Sequence, residues 1–140
     1  METILAADVA KWDDKVNSEQ AARQIEAPFR AVRFAGLRFT PMTVDEATAA
    51  LAARQQDAPF AVFTTPNAEH AWLRRHDPEF ARCNEEAVIS TNDSRVLRNL
   101  ALLGGLKLHF APGAYVVRRM FEEVIGPEDA LTVIGGTDET

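Results

Sequence analysis

Short apolar runs and helical stripes alternate along this chain, separated by polar turns. Ala31 to Phe39 alternates apolar and basic positions around Gly36, which predicts an extended or hairpin segment with one buried face. Thr43-Val44-Asp45-Glu46 has the Thr-x-x-Glu spacing of a capping box, and Ala47, Ala50 and Leu51 continue an apolar stripe toward Arg54, so a helix is expected there. Phe60 to Thr64 is a short apolar run bounded by turn residues and predicts a buried strand. Asn67 stands where it can cap the next helix. Asp77-Pro78 should end that helix and start another, because aspartate caps and proline suits a first helical turn. Ala87 to Ser90 predicts a second strand. The helix beyond it is expected to turn Val96, Leu97, Leu100, Ala101 and Leu103 inward before Gly104-Gly105 stops it. Val117, Met120, Phe121 and Val124 mark an inward stripe on a last helix ended by Gly126-Pro127, and Ala130 to Ile134 predicts a third strand.

Strands separated by helices pair in parallel through crossovers, so the expected class is α/β, a Rossmann-like parallel sheet with helices on both faces. Residues 1–27 mix charged and small side chains with weak helical periodicity and predict a partly helical or disordered N-terminal arm ahead of residues 28–140. Gly135-Gly136-Thr137-Asp138-Glu139-Thr140 reads as a glycine turn followed by capping-type residues, so the chain is expected to be the N-terminal portion of a longer domain, truncated after its third core strand. Uncovered apolar surface and a tendency to self-associate would follow.

Composition narrows the picture. With 140 residues, 46% of them hydrophobic, and no internal repeats, one core is the expectation. A net charge of -6 and a pI near 5.0 argue against nucleic acid as a partner, since a phosphate-backbone binder needs clustered basic surface. Cys83 is the only cysteine, excluding an internal disulfide, and the first residues lack the pattern of a signal peptide, so the cytosol is the expected compartment. Apolar stretches fall well short of the ~20 residues of a membrane span, which makes any membrane contact peripheral. His70, His76, Cys83 and His109 have no compact metal-ligand spacing, and no metal is expected.

The candidate chemistry lies at two strand-to-helix junctions, Phe63 to His70 and Ile89 to Arg95, which should open on one edge of the sheet, where such folds hold ligands. Asp93 at the second junction can act as a base or simply cap a helix, a role worth ~1 kcal/mol. Asn67 carries the same two readings. Thr65 can contact a ligand or satisfy a strand-end backbone group, and His70 can reach a ligand, lie exposed at the surface or sit half-buried with its polar atoms satisfied. Helix N-termini can hold an anionic group, which makes the turns at Gly113 and Gly135-Gly136 candidates. The pairs Arg74-Arg75 and Arg118-Arg119 can hold the same anion or form solvated faces balanced by nearby acids. Tyr115 can stack on a sugar or base, or pack in the core. Cys83 is expected to be a small buried apolar side chain.

Taken in order and spacing, Thr65-Pro66-Asn67-Ala68-Glu69-His70, Arg75-His76-Asp77-Pro78-Glu79-Phe80, the Asp93 turn, Leu102-Leu103-Gly104-Gly105 and Val133-Ile134-Gly135-Gly136 resemble the WecG/TagA/CpsF glycosyltransferases, from about Phe34 onward. Ser90 to Arg95 and Phe110 to Tyr115 are similar to the branch that includes xanthan-type exopolysaccharide glucosyltransferases. The resemblance implies an inverting, metal-independent and cofactor-free transfer from a UDP-sugar to the hydroxyl of a polyprenyl-diphosphate-linked sugar, at the inner face of a bacterial membrane. It implies Asp93 as base, with Thr65, Asn67, His70 and Asn92 toward the acceptor. Gly113 would open the donor pocket, with Tyr115, Gly135 and Gly136 beside it. Self-association and a basic C-terminal segment for membrane contact, absent from this sequence, are implied as well. The chain departs from the family pattern where Asn92-Asp93-Ser94 stands for Pro-Asp-Gly, and where Gly113-Ala114-Tyr115 stands for Gly-x-Asp. The competing class is a non-catalytic nucleotide-binding or oligomer-forming α/β module. An NAD-dependent enzyme is a distant third, since the full G-x-G-x-x-G pattern is missing.

Overall fold

The computed structural model describes residues 29–55 and 57–135, so the expected N-terminal arm and Gly136 lie outside the described residues. Within them the fold is mixed α/β. Strands β1 (Val32–Phe34) and β2 (Leu37–Phe39) are followed by α1 (Val44–Ala52), β3 (Phe63–Thr64), α2 (Ala68–His76), α3 (Pro78–Glu86), β4 (Ile89–Ser90), α4 (Arg95–Leu103) and α5 (Gly113–Glu123). β1 and β2 pair antiparallel, with Val32 opposite Phe39 and Phe34 opposite Leu37. The two residues joining them, Ala35 (φ 51°) and Gly36 (φ 81°), both take positive φ, as in the tight turns whose twist matches a hairpin. β3 and β4 pair in parallel, Phe63 with Ile89 and Thr64 with Ser90, and α2 and α3 form the crossover between them.

Capping chemistry sets the helix ends as the sequence predicts. Thr43 and Glu46 close a reciprocal capping box on α1. Asp77 ends α2 and caps α3 through its side chain, with Pro78 in the first turn. α4 ends at Gly104; Gly105 (φ 76°) then reverses the chain, with Gly105 N–H donating to the Leu102 carbonyl and Leu106 N–H to that of Ala101. That pair of bonds is a Schellman motif, and only glycine takes the left-handed position without strain.

Leu37, Phe39, Leu97, Ala101 and Leu108 form the buried cluster, flanked by Val32, Phe34, Ala71, Phe80 and Leu106. A second link is polar. The Asn84 side chain, 0% exposed, accepts from Arg38 N–H (2.9 Å) and donates to the Arg38 carbonyl (3.1 Å) and the Ser90 hydroxyl (3.0 Å). One amide therefore pairs with β2 as a strand neighbour would and ties it to β4. Thr40 continues the contact: its N–H donates to the Ser90 carbonyl (2.7 Å) and its hydroxyl accepts from Ser90 N–H (3.1 Å).

Four expectations need correction. On α4 only Leu97 and Ala101 are buried, while Val96, Leu100 and Leu103 face solvent. Arg95, Arg98 and Asn99 mark a polar face, but the apolar arc opposite them is wide, and packing against β2 and Leu108 selects only the Leu97 and Ala101 side of it. On α5 the buried residues are Gly113 and Val116, with Val117, Phe121 and Val124 exposed, because the helix turns its N-terminal small face toward α1 and the site. Ala130 to Ile134 forms no strand, and Leu131, Val133 and Ile134 are exposed; the segment pairs with none of the described strands. Cys83 is also exposed rather than buried.

Glu85 on α3 accepts both guanidinium nitrogens of Arg33 on β1 (2.6 Å each) and one from Arg74 on α2 (2.9 Å), joining three elements. These hydrogen bonds hold its carboxyl down to about 2 from an ordinary 4.5, the Arg33 bond contributing most. A carboxyl lowered by folding stabilises above its unfolded value and loses that contribution as pH falls toward its folded value. Urea melts from pH 7 to pH 2 should therefore show a stability loss between pH 4.5 and about 2 that is flattened in Glu85→Gln. An equally steep loss in the variant would remove Glu85 from the account.

Candidate functional site

The pairing of β3 and β4 does not stop where the strands end. Thr91 N–H donates to the Thr64 carbonyl (2.9 Å), and Asp93 N–H to that of Pro66 (3.0 Å), so both polar turns continue side by side. A third segment joins them. Ala111 N–H donates to the Asn92 carbonyl (2.9 Å), the Thr91 hydroxyl to the Ala111 carbonyl (2.8 Å), and Asn92 Nδ2 to the His109 carbonyl (3.1 Å). The starts of α2, α4 and α5 are thereby brought to one edge.

Asp93 occupies the middle of this arrangement and caps nothing. Ser94 caps α4, its Oγ accepting from Leu97 N–H (3.1 Å), and Asn92 Oδ1 accepts from Ser94 N–H (3.1 Å). The Asp93 carboxylate, on a half-buried residue, has no hydrogen-bond or ion-pair partner among the described residues. Sequence could not separate these three neighbours, because asparagine, aspartate and serine cap almost equally well; the informative signal was that two of them suffice.

Asn67 does cap α2, its Oδ1 accepting from Glu69 N–H (2.9 Å) and His70 N–H (3.2 Å). Its Nδ2 has no partner among the described residues and remains able to donate. His70 is committed: Nδ1 accepts from Asn67 N–H (3.0 Å) and the ring stacks on Phe80 at 5.0 Å. Asn92 is buried, and its Nδ2 donates to the Ser94 carbonyl (2.9 Å) as well as to that of His109. Tyr115 lies exposed on the first turn of α5. Gly135 (φ 114°) stands apart, with no atom within 4 Å of where a Cβ would be.

Gly113 and Thr65 meet. A Cβ on Gly113 would lie 2.7 Å from Thr65 Oγ1, 2.8 Å from Cγ2 and 3.1 Å from Cβ, so only glycine lets α5 begin against the first turn. Pro112, at the N-cap of α5, has no side chain to bond the first N–H groups. An uncapped helix start favours an anion.

The arginine pairs singled out in the sequence are mostly engaged elsewhere: Arg74 with Glu85, Arg118 with Glu122, and Arg119 with Asp45 and Glu123. Sequence reasoning missed Arg95. Its guanidinium lies over the Phe110 ring, 5.1 Å from the centroid, without a carboxylate partner among the described residues. A cation in a helix's first turn opposes the dipole and costs about 0.3–1 kcal/mol, and α4 has no acidic residue there to offset it. That inverted placement was visible in the sequence.

A cavity of about 460 Å³ opens near Leu51, Val62 and Val88, on the side where β3 and β4 begin. Its lining is apolar apart from Arg54, whose guanidinium bonds the Pro59 carbonyl. It holds none of the candidate groups, which lie at the opposite edge.

Gly113→Ala should destabilise the protein by about 1–3 kcal/mol, the usual cost of forced overpacking. Adding Thr65→Ala should recover part of that loss, because it removes two of the three clashing atoms. Strictly additive urea-melt effects in the double variant would show that the two turns do not meet.

Residues 32–140 match the family model of the Glycosyl transferase WecG/TagA/CpsF family. Comparison with curated proteins and with solved structures gives no match. No helix among the described residues is long and apolar enough to cross a membrane.

Proposed function

The chain belongs to the WecG/TagA/CpsF family of glycosyltransferases, which act in cell-surface polysaccharide synthesis, and we propose that it transfers a hexose from a UDP-sugar to a polyprenyl-diphosphate-linked sugar with inversion. The observation that carries this reading is the unpartnered Asp93 carboxylate between two neighbours that spend their own side chains on the turn. A group held in place but unused by the fold is suited to take a proton from a ligand.

In the proposed step the acceptor hydroxyl oxygen attacks the anomeric carbon from the side opposite the leaving group. Its proton passes to Asp93. The bond from the anomeric carbon to the β-phosphate oxygen breaks, and its electron pair leaves with UDP. Thr65 and the free Nδ2 of Asn67 orient the acceptor, while His70 and Asn92 hold the turns. The departing diphosphate is met by the uncapped start of α5 at Gly113 and by the Arg95 guanidinium, a division of labour that requires no metal. Tyr115, exposed beside Gly113, supplies a face on which the donor can stack.

The pair β3 and β4 with its helical crossover is, in this reading, the nucleus of a Rossmann-like sheet within residues 28–140. Apolar side chains on α4 and α5, such as Leu100 and Phe121, are then surface for further polypeptide or a second copy. The lipid-linked acceptor places the protein at the inner face of the membrane.

Asp93→Asn tests the proposal. It keeps the shape and the main-chain bond to Pro66 and removes the base, so transfer should fall by at least about 100-fold with an unchanged melting temperature. Both this chain and a version continued past Thr140 serve for the assay, with a panel of UDP-sugars and a short-chain acceptor. Wild-type turnover by the variant would rule out the base. UDP binding without turnover in every form would instead select a non-catalytic nucleotide-binding module.

A further inference from the structure

We infer that Asn92 is a positioning residue, which sets where the Asp93 carboxylate stands relative to the start of α5 and does not itself touch the acceptor. The inference rests on the base reading of Asp93. Asn92 is 2% exposed. Its Nδ2 donates to the Ser94 carbonyl (2.9 Å) and the His109 carbonyl (3.1 Å), and its Oδ1 accepts from Ser94 N–H (3.1 Å). An amide has two hydrogens to give, and both are given. Nothing is left to donate to a sugar hydroxyl.

These bonds act in two directions. Within the turn, both ends of the amide grip Ser94, so the backbone on either side of Asp93 is fixed. Across the site, the same side chain reaches the segment that leads into α5. The Asn92 carbonyl receives Ala111 N–H (2.9 Å), and the neighbouring Thr91 hydroxyl donates to the Ala111 carbonyl (2.8 Å). Two residues after Ala111 the helix starts at Gly113. The base turn and the donor-side helix are therefore one rigid piece, joined by a buried amide rather than by a strand ladder. A proline at this position could make none of these three side-chain bonds.

The functional consequence follows from geometry. Base and leaving group must lie on opposite sides of one carbon, and a misplacement of about 1 Å can cost about 100-fold in rate. A residue that only fixes this spacing affects turnover; one that binds the acceptor affects KM.

The test is a KM-against-kcat split in a transfer-competent form of the protein, with Asp93→Asn as reference. Asn92→Ala is expected to lower kcat by about 10- to 100-fold while acceptor KM stays within about two-fold. Asn92→Asp keeps the acceptor for Ser94 N–H but puts a like charge beside the base, so the acid limb of the pH profile should move to higher pH. A rise in acceptor KM at unchanged kcat would overturn the inference in favour of direct contact, and wild-type kinetics would overturn it outright. Should Asn92→Ala fail to fold, Thr91→Val removes a single bond of the same tether; unchanged kcat in that folded variant would also overturn it. Full turnover in Asp93→Asn would sink the base reading instead, which keeps the two failures distinct.

Discussion

The parallel register of β3 and β4 is the constraint on which the rest depends. Two residue pairs make the ladder, yet the register runs on through Thr91 to Thr64 and Asp93 to Pro66, and thus fixes two turns that would otherwise be independent loops. A slip of one residue would turn every side chain to the opposite face and take Asp93 out of the site. Short strands suffice because the bonds that matter lie beyond them.

So little sheet needs other support, and buried polar side chains provide it. Asn84 stands in for a strand edge against Arg38 and reaches Ser90; Thr40 holds Ser90 from the other side. A buried hydrogen bond contributes about 1 kcal/mol net, but losing one partner leaves the other unsatisfied and costs about 1–3 kcal/mol. Networks of this kind favour one arrangement strongly over its neighbours. Asn92 repeats the device at the site, which is why fold and proposed chemistry share one logic: the amides satisfy the backbone, and the carboxylate between Asn92 and Ser94 is left over.

Local signals were well legible in the sequence. Caps at Thr43, Asn67 and Asp77 and the Gly104-Gly105 stop follow from short-range bonding, which a few adjacent residues determine. Facing was less legible. α4 has a wide apolar arc, so burial of Leu97 and Ala101 over Leu100 and Leu103 was decided by β2, far away in sequence, together with Leu108 just past the helix. Ala130 to Ile134 has strand composition but no described partner strand, and composition alone does not make a ladder. At the site, the positions of Asp93 and Gly113 could be read as motifs. The roles of their neighbours could not, since the bonds of Asn92 to His109 and the contact of Gly113 with Thr65 link residues 17 and 48 positions apart.

The account's central claim is a single displacement driven by one carboxylate, and its most direct measurement is the anomeric configuration of the product. Incubation with a UDP-α-sugar and a short-chain polyprenyl-diphosphate sugar, followed by proton NMR of the new linkage, should give a β-linked product. An α-linked product would contradict the claim, because retention cannot arise from one in-line attack assisted by Asp93.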